Sequence, residues 1–350
     1  MNLYKAFLSM VLIGMAFGQD EIEMKDADED SPQEIVGGKE LSKKDRANRP
    51  FLVNVGRTHP NPTIGDVYLC GGSVISSRAI LTAAHCHYDN SNPLNPWVWR
   101  QAQWIDFFRY DKTDAVGTKG IVRTFLPPGS CVVHTGFTPW APGPGGTFNQ
   151  DVAICFLPAP APARATPITL NTDQNVPAPG APLDWAGWGS RSEADHPNEP
   201  QATVETPTPF VTTLNYITNL ACESDPYDWR NHLTTSMMCA AAPGTASCHG
   251  DSGGPLTLGG PNGGMLTPVV QVGIGSHHGP GNLLSPSNCL METQPTRNYP
   301  GVWVRVSDVW PWITNTVCVR TGEMCPTPPT PTPPTPASKS SKNTKRMIRN

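Results

Sequence analysis

The stretch best suited to chemistry runs from Ser247 to Leu256 and reads SCHGDSGGPL. Ser252 lies between Asp251 and two glycines, close to Cys248. Glycines give a turn the freedom to expose a hydroxyl group and to present backbone N–H groups to a reacting carbonyl. The same residue types are common in ordinary turns. This stretch alone therefore leaves two interpretations open, a nucleophile for acyl transfer and a plain turn.

A serine hydroxyl is a weak nucleophile near neutral pH, so Ser252 needs a general base and a group that orients the base. The sequence offers a candidate for each role. His85 ends the small-residue run in LTAAHC, and Asp151 begins an apolar run in NQDVAI. We therefore interpret these three residues as one catalytic set.

The three motifs occur in the order His, Asp, Ser, and on them the chain resembles the chymotrypsin-like (trypsin-fold) serine endopeptidases over about residues 35–318. The resemblance implies that His85 is general base and then general acid, and that Asp151 holds its tautomer. It also implies that Ser252 attacks the substrate carbonyl, with an oxyanion hole formed by the backbone N–H groups of Gly250 and Ser252.

The elements that position these residues are predicted to be strands. Short apolar runs broken by Gly, Pro and Asn extend from residue 51 to residue 306 and favour an all-β barrel or sandwich. A helix is predicted only over residues 308–317, where apolar residues recur at roughly helical spacing. The resemblance further implies two six-stranded antiparallel β-barrels packed together, with the site in the cleft between them and a C-terminal α-helix.

The two ends of the chain differ in composition from its centre. Residues 1–18 carry a lysine and an apolar run typical of a secretory signal peptide, and residues 19–34 form an acidic propeptide. Residues 35–325 are the predicted protease domain, and residues 326–350 are a Thr/Pro linker with a basic disordered tail. No later run reaches the roughly 20 apolar residues of a membrane helix. We expect a secreted, extracellular protein without a transmembrane segment.

The sequence IVGG, beginning at Ile35, directly follows the acidic stretch. In the family that the chain resembles, a cut before this segment frees an α-amino group that pairs with the aspartate before the nucleophile, here Asp251. The resemblance thus implies a zymogen activated by cleavage between Glu34 and Ile35. Trypsin-activated relatives carry Arg or Lys at the position of Glu34, so the activating protease is expected to have another specificity.

Ten cysteines in an exported chain predict disulfides rather than a metal site, since no paired C-x-x-C spacing occurs. The resemblance implies the pairs Cys70–Cys86, Cys222–Cys239 and Cys248–Cys289. The other four cysteines fit the pairs Cys131–Cys155 and Cys318–Cys325, with free buried thiols as the alternative. One further family bridge is absent, and Leu183 and Leu258 are expected to form an apolar pair in its place. We predict no metal and no cofactor.

The resemblance also places a primary substrate pocket. Its base corresponds to Ala246, where trypsin-like enzymes carry an aspartate, so cleavage after Arg or Lys is not expected. The predicted pocket residues are Ala246, Ser247, Ser276, His278 and Gly301, of which Ser276 also hydrogen-bonds toward Asp151. His278 at the pocket wall would narrow the entrance, whereas Gly279 there would leave it open. Otherwise His277 and His278, like His87 and His249, are interpreted as exposed loop residues without a role.

The expected function is a serine endopeptidase that acts through an acyl-enzyme, after apolar or aromatic residues, as a monomer on protein or peptide substrates. Protein protease inhibitors are further expected partners, and the net charge of −4 disfavours nucleic acid. Two alternatives stay open. The chain is a catalytically silent homologue that acts as a binding module, or it cleaves after acidic residues bound by Ser247 with His277 or His278.

Overall fold

The computed structural model describes residues 38–59, 63, 65–89, 98–138, 148–189, 207–224, 232–245, 247–248, 250–259, 268–277 and 300–326. The predicted signal peptide and acidic propeptide lie outside these ranges, as do residues 327–350 of the predicted tail. Six residues singled out by sequence also lie outside the described residues, namely Ile35, Ala246, His249, His278, Gly279 and Cys289.

The described chain is built mainly from short strands. Those before residue 160 are β1 (Lys39–Glu40), β2 (Leu52–Thr58), β3 (Asp66–Val74), β4 (Ala79–Thr82), β5 (Tyr88–Asp89), β6 (Val98–Trp99), β7 (Trp104–Phe107), β8 (Val122–Phe125), β9 (Cys131–Val133) and β10 (Ala153–Phe156). Those after it are β11 (Thr169–Leu170), β12 (Pro182–Gly187), β13 (Phe210–Ile217), β14 (Met237–Ala241), β15 (Pro255–Leu258), β16 (Val270–His277) and β17 (Gly301–Arg305).

The helices described are α1 (Lys43–Ala47), α2 (Asn219–Cys222) and α3 (Val306–Thr321), with one 3₁₀ turn at His85–His87. Helix α3 is longer than the predicted 308–317, because it starts directly after β17 and ends at Gly322, whose φ of 73° lies in the left-handed region. Among the described helices, none is long and apolar enough to cross a membrane.

The second half of the chain forms a closed barrel. Strands β13, β12, β15, β16, β17 and β14 pair in that order, and β14 pairs back to β13 to complete the ring. These six strands are antiparallel to their neighbours, while β1 extends the sheet along β13 and β11 pairs parallel to β16.

The first half forms a seven-stranded antiparallel sheet in the order β8-β7-β2-β3-β4-β10-β9. This sheet is open, since β8 and β9 are its two edges in the described chain, and it curls into a half-barrel. The predicted all-β fold with a C-terminal helix is confirmed, with one barrel closed by strand pairing and the other curled.

The two sheets share a core. Leu81 of β4, Ile274 of β16 and Ile313 of α3 are fully buried in one apolar cluster. A buried polar bond also crosses between the sheets, because the Ser73 hydroxyl of β3 donates to Gln271 Oε1 of β16 at 2.7 Å. Burying such groups without a partner is costly. The bond therefore fixes the register of one sheet against the other.

Four disulfides join cysteines among the described residues: Cys70–Cys86, Cys131–Cys155, Cys222–Cys239 and Cys318–Cys325. Cys70–Cys86 ties β3 to the 3₁₀ turn after β4, and Cys131–Cys155 joins directly opposed residues of β9 and β10. Because Cys289 lies outside the described residues, the pair Cys248–Cys289 stays a prediction.

Leu183 of β12 and Leu258 of β15 are directly opposite each other in the antiparallel ladder. Leu183 is fully buried, and Leu258 packs against the same apolar cluster. The expected apolar pair is therefore present.

This pairing leads to a stability prediction. Opposed Cβ atoms in such a ladder lie about 4.5–5.5 Å apart, close to the span of a disulfide. In the double variant Leu183→Cys/Leu258→Cys, the two thiols are expected to oxidise to a disulfide. The oxidised form should be more stable than the reduced form of the same variant by about 2–4 kcal/mol. Denaturant unfolding with this bridge selectively reduced measures the difference, and the two single variants are the controls. Two thiols that stay titratable in the oxidised double variant would contradict the prediction.

Candidate active site

His85 is held at the end of a buried strand. All four residues of β4 are buried, and His85 opens the 3₁₀ turn three residues after the end of this strand. The next residue, Cys86, is joined to Cys70 in β3. The backbone of His85 is thus fixed from both sides, while its side chain keeps 19% of its surface exposed. This arrangement presents the imidazole ring at the edge of the sheet.

Asp151 lies directly beside His85. Strand β10 starts two residues after Asp151, and its first residue, Ala153, is paired with Thr82 at the end of β4. Asp151 Oδ1 accepts the backbone N–H of His85 at 2.8 Å, and Oδ2 lies 2.6 Å from His85 Nδ1. The hydroxyl of Ser276 donates to the same Oδ2 at 2.6 Å. The carboxylate is fully buried and bonded through both oxygens.

The environment of Asp151 favours its ionised form. Burial on its own raises the pKa of this carboxyl, but the charge and hydrogen bonds of His85 and the bond from Ser276 outweigh it and hold the pKa below its usual value. An ionised carboxylate only accepts hydrogen bonds, so the proton between the two residues belongs to His85 Nδ1. In a neutral imidazole this leaves the lone pair on Nε2, the atom that a general base uses.

The turn that carries Ser252 is locked between the two sheets. The N–H of Gly71 in β3 donates to the Ser252 carbonyl at 2.8 Å, and the N–H of Gly253 donates to the Gly275 carbonyl in β16 at 2.8 Å. Gly253 has a φ of 74°, and a Cβ there would lie 2.2 Å from Thr82 Oγ1 and 2.9 Å from the backbone nitrogen of Ala83. The turn is thus pressed against the segment that leads into His85.

The side chain of Asp251 lies against Gly187 at the end of β12. The side chain is buried, Oδ1 accepts the N–H of Gly189 at 2.8 Å, and Oδ2 accepts the N–H of Cys248 at 3.1 Å. Burial raises the pKa of Asp251 to about 6, although both hydrogen bonds and the charge of Lys112 act in the opposite direction. Gly250, with a φ of 94°, supplies the left-handed residue that this turn requires.

Two of the predicted pocket residues lie together. Ser247 is buried, and its Oγ lies 3.2 Å from the place that a Cβ on Gly301 would occupy. Ser276 lies in β16, and the strand paired with it, β17, begins at Gly301. Ala246 and His278 are outside the described residues, so their places in the pocket stay predictions.

Sequence reasoning missed an aromatic contact at the site. The ring of Phe148 meets His85 edge-on at 5.6 Å between ring centroids, and it stacks on His277 at 5.2 Å. Phe148 has a φ of 47°, a backbone conformation rare for a bulky residue. Its position three residues before Asp151 was the available signal.

The interpretation of His277 and His87 as exposed loop residues is wrong. His277 ends β16, and its Nδ1 lies 3.0 Å from Ser276 Oγ. His87 is fully buried, and its Nδ1 accepts the N–H of Ala102 at 3.2 Å. Burial lowers the pKa of His87 to about 3 and that of His277 to about 4, so both rings are neutral at pH 7. Strand pairing and the Cys86 bridge, which a single sequence does not display, bury His87 and leave His277 half-buried at the end of β16.

The family model described as Trypsin matches residues 35–313, a range that includes His85, Asp151 and Ser252. Trypsin zeta of Drosophila erecta is 27% identical over 90% of this chain and 96% of its own length. Trypsin beta of the same species is 27% identical over 70% of this chain and 78% of its own length. Trypsin alpha-4 of Lucilia cuprina is 28% identical, covering 70% of this chain and 76% of its own length.

Proposed function

The chain belongs to the trypsin family of serine proteases, and from this premise we propose that it is a serine endopeptidase with Ser252 as its nucleophile. The observation that carries the proposal is the 2.6 Å contact between Asp151 Oδ2 and His85 Nδ1, beside the locked turn of Ser252. This contact leaves Nε2 of His85 as the basic nitrogen, on a residue whose backbone is fixed.

Acylation follows from this arrangement. The Ser252 oxygen attacks the substrate carbonyl while its proton passes to His85 Nε2, and Asp151 stabilises the resulting imidazolium. The negative charge that develops on the carbonyl oxygen is stabilised by the N–H groups of Gly250 and Ser252. The imidazolium then gives its proton to the leaving amine, and the C–N bond breaks. A water molecule then attacks the acyl-enzyme, again with His85 as general base and then general acid, and this step frees Ser252.

Covalent labelling tests this proposal directly. A fluorophosphonate probe is expected to modify Ser252 in the processed protein, located by mass spectrometry of the labelled peptide. The variant His85→Ala is the matched control, because an unactivated hydroxyl reacts far more slowly. A folded and processed protein that resists the probe would instead support the catalytically silent homologue.

We further propose cleavage after apolar or aromatic residues. Support comes from Ala246 in the sequence, which replaces an acidic pocket base, and from the small residues Ser247 and Gly301 that lie together. The alternative of acidic substrates is not favoured by His277, because a neutral ring already bonded to Ser276 offers no charge to a carboxylate. A peptide-library digest decides between the two specificities.

The same proposal includes secretion as a zymogen. We propose that cleavage before Ile35 frees an ammonium group that pairs with Asp251. Support comes from the buried carboxylate itself, whose pKa is raised by burial despite two backbone hydrogen bonds. A cation at this carboxylate would offset the cost of its burial.

The unprocessed protein is expected to lose stability as the pH rises through 6. The pKa of Asp251 in the folded state, about 6, lies above its unfolded value near 3.9. The stabilisation from the protonated carboxyl is therefore complete below about pH 4 and lost above pH 6, by about 3 kcal/mol. Urea unfolding of the intact precursor at pH 4.5 and pH 7.5 is expected to show about 2 kcal/mol of this change, because the stabilisation is complete only below about pH 4.

The variant Asp251→Asn provides the control for this measurement. It keeps the shape of the side chain but does not titrate, so its stability should change less between the two pH values. An equal pH dependence in the precursor and in the variant would assign the effect to other groups.

A further inference from the structure

Ser276 links a second histidine to the catalytic carboxylate. The Ser276 hydroxyl lies 2.6 Å from Asp151 Oδ2 on one side and 3.0 Å from His277 Nδ1 on the other. Asp151 Oδ2 in turn lies 2.6 Å from His85 Nδ1. The four side chains form one continuous path of hydrogen bonds that runs from His277 through Ser276 and Asp151 to His85.

The position of each proton along this path follows from which groups can donate and which can only accept. Ionised Asp151 only accepts, so the single hydroxyl proton of Ser276 is directed at Oδ2. The Ser276 oxygen is then an acceptor toward His277, and the proton between them sits on Nδ1 of His277. Donation into this oxygen polarises the hydroxyl and strengthens its own bond to Asp151.

The backbone explains how neighbouring residues meet both ends of this path. The pairing of β16 with β17 shifts register between Gly275 and His277, which leaves Ser276 as an extra residue in a bulge. Bulges redirect a side chain out of the regular alternation of a strand. Ser276 therefore reaches Asp151, while the ring of His277 stays beside it and stacks on Phe148.

We propose that His277 is a positioning residue for the catalytic set, because its Nδ1–H holds the Ser276 hydroxyl on Asp151 and so keeps the carboxylate aligned with His85. The inference rests on the proposed serine endopeptidase function. His277 does not need to touch the substrate for this role, and it moves no proton during the reaction.

Two substitutions separate this role from simple packing. His277→Phe keeps a ring that can stack on Phe148 but removes the donor. His277→Asn loses the ring but places an N–H group at the same distance along the side chain as Nδ1 of histidine. A positioning role requires that the asparagine variant resembles the natural protein, whereas a packing role requires the reverse.

The experiment uses the processed full chain and two readouts. Steady-state kinetics on a peptide substrate is expected to show kcat about 5- to 10-fold lower in His277→Phe, the effect of one hydrogen bond, with KM little changed. The low-field proton resonance of His85 Nδ1–H, identified by its absence in His85→Ala, should shift or broaden in the same variant. His277→Asn should restore both readouts.

A natural kcat and an unchanged resonance in His277→Phe would overturn the proposal. So would a His277→Asn variant as impaired as His277→Phe, since the ring and not the donor would then matter. The resonance is measured without turnover, and fluorophosphonate labelling of the natural protein tests the proposed function separately. Failure of labelling therefore counts against the endopeptidase, and failure of the asparagine rescue counts against the role of His277.

Discussion

Replacing Ser252 with alanine is expected to lower kcat of the processed enzyme by about a million-fold. The substitution removes the only oxygen that can form the acyl-enzyme in the proposed mechanism, while the oxyanion hole and the binding surfaces stay in place. The turn itself should persist, because the bonds that hold it run through the backbone of Gly71, Ser252, Gly253 and Gly275. The loss should therefore appear in activity and not in stability.

Hydrolysis of a chromogenic peptide ester, together with thermal unfolding, measures both properties. Ser224→Ala is the matched control, because it makes the same chemical change at an exposed serine beyond α2. Activity in Ser252→Ala within tenfold of the natural protein would show that another group is the nucleophile.

The second large effect is expected for Asp151→Asn, with kcat lower by about ten-thousand-fold. The carboxylate accepts three hydrogen bonds, from the His85 backbone, from His85 Nδ1 and from Ser276. An amide has only one oxygen. If that oxygen keeps the bond to the backbone, its NH₂ group faces Nδ1 and moves the imidazole proton to Nε2. His85 then has no lone pair where the reaction needs it.

The control for this variant is Asp184→Asn, which also neutralises a buried aspartate but lies in β12, bonded to Arg49 at 3.2 Å. It is expected to lower stability and to leave kcat nearly unchanged. Comparing kcat of the two variants at pH 7.5 distinguishes two causes of a lower kcat. One is the moved proton on His85, and the other is the general effect of losing a buried charge. Equal losses in both would refute the role given to Asp151.

The sequence predicted the all-β fold because glycine- and proline-broken apolar runs are a local property of the chain. It also brought His85, Asp151 and Ser252 into one hypothesis, since each lies in a short motif. The structure places Asp151 against His85 through the pairing of β4 with β10, a contact between residues 66 positions apart.

Features that depend on register were harder to predict. His277 looks like a loop residue in a histidine pair before glycine, yet it ends β16 directly after the bulge and stacks on Phe148. Phe148 was missed although it lies three residues before Asp151, because a single aromatic residue has no periodicity. The start of α3 was also missed, because the helix follows β17 directly, without a loop that would mark the boundary.

The bonds at the site have a consequence for the timing of assembly. His85 and Asp151 belong to the curled sheet, Ser252 and Ser276 belong to the closed barrel, and the bonds from Gly71 and Ser276 cross between them. A molecule whose two halves have each folded, but have not yet docked, lacks these bonds. In the proposed mechanism, proteolytic activity therefore requires that the two halves have docked, so a partly folded chain would not cleave the proteins around it.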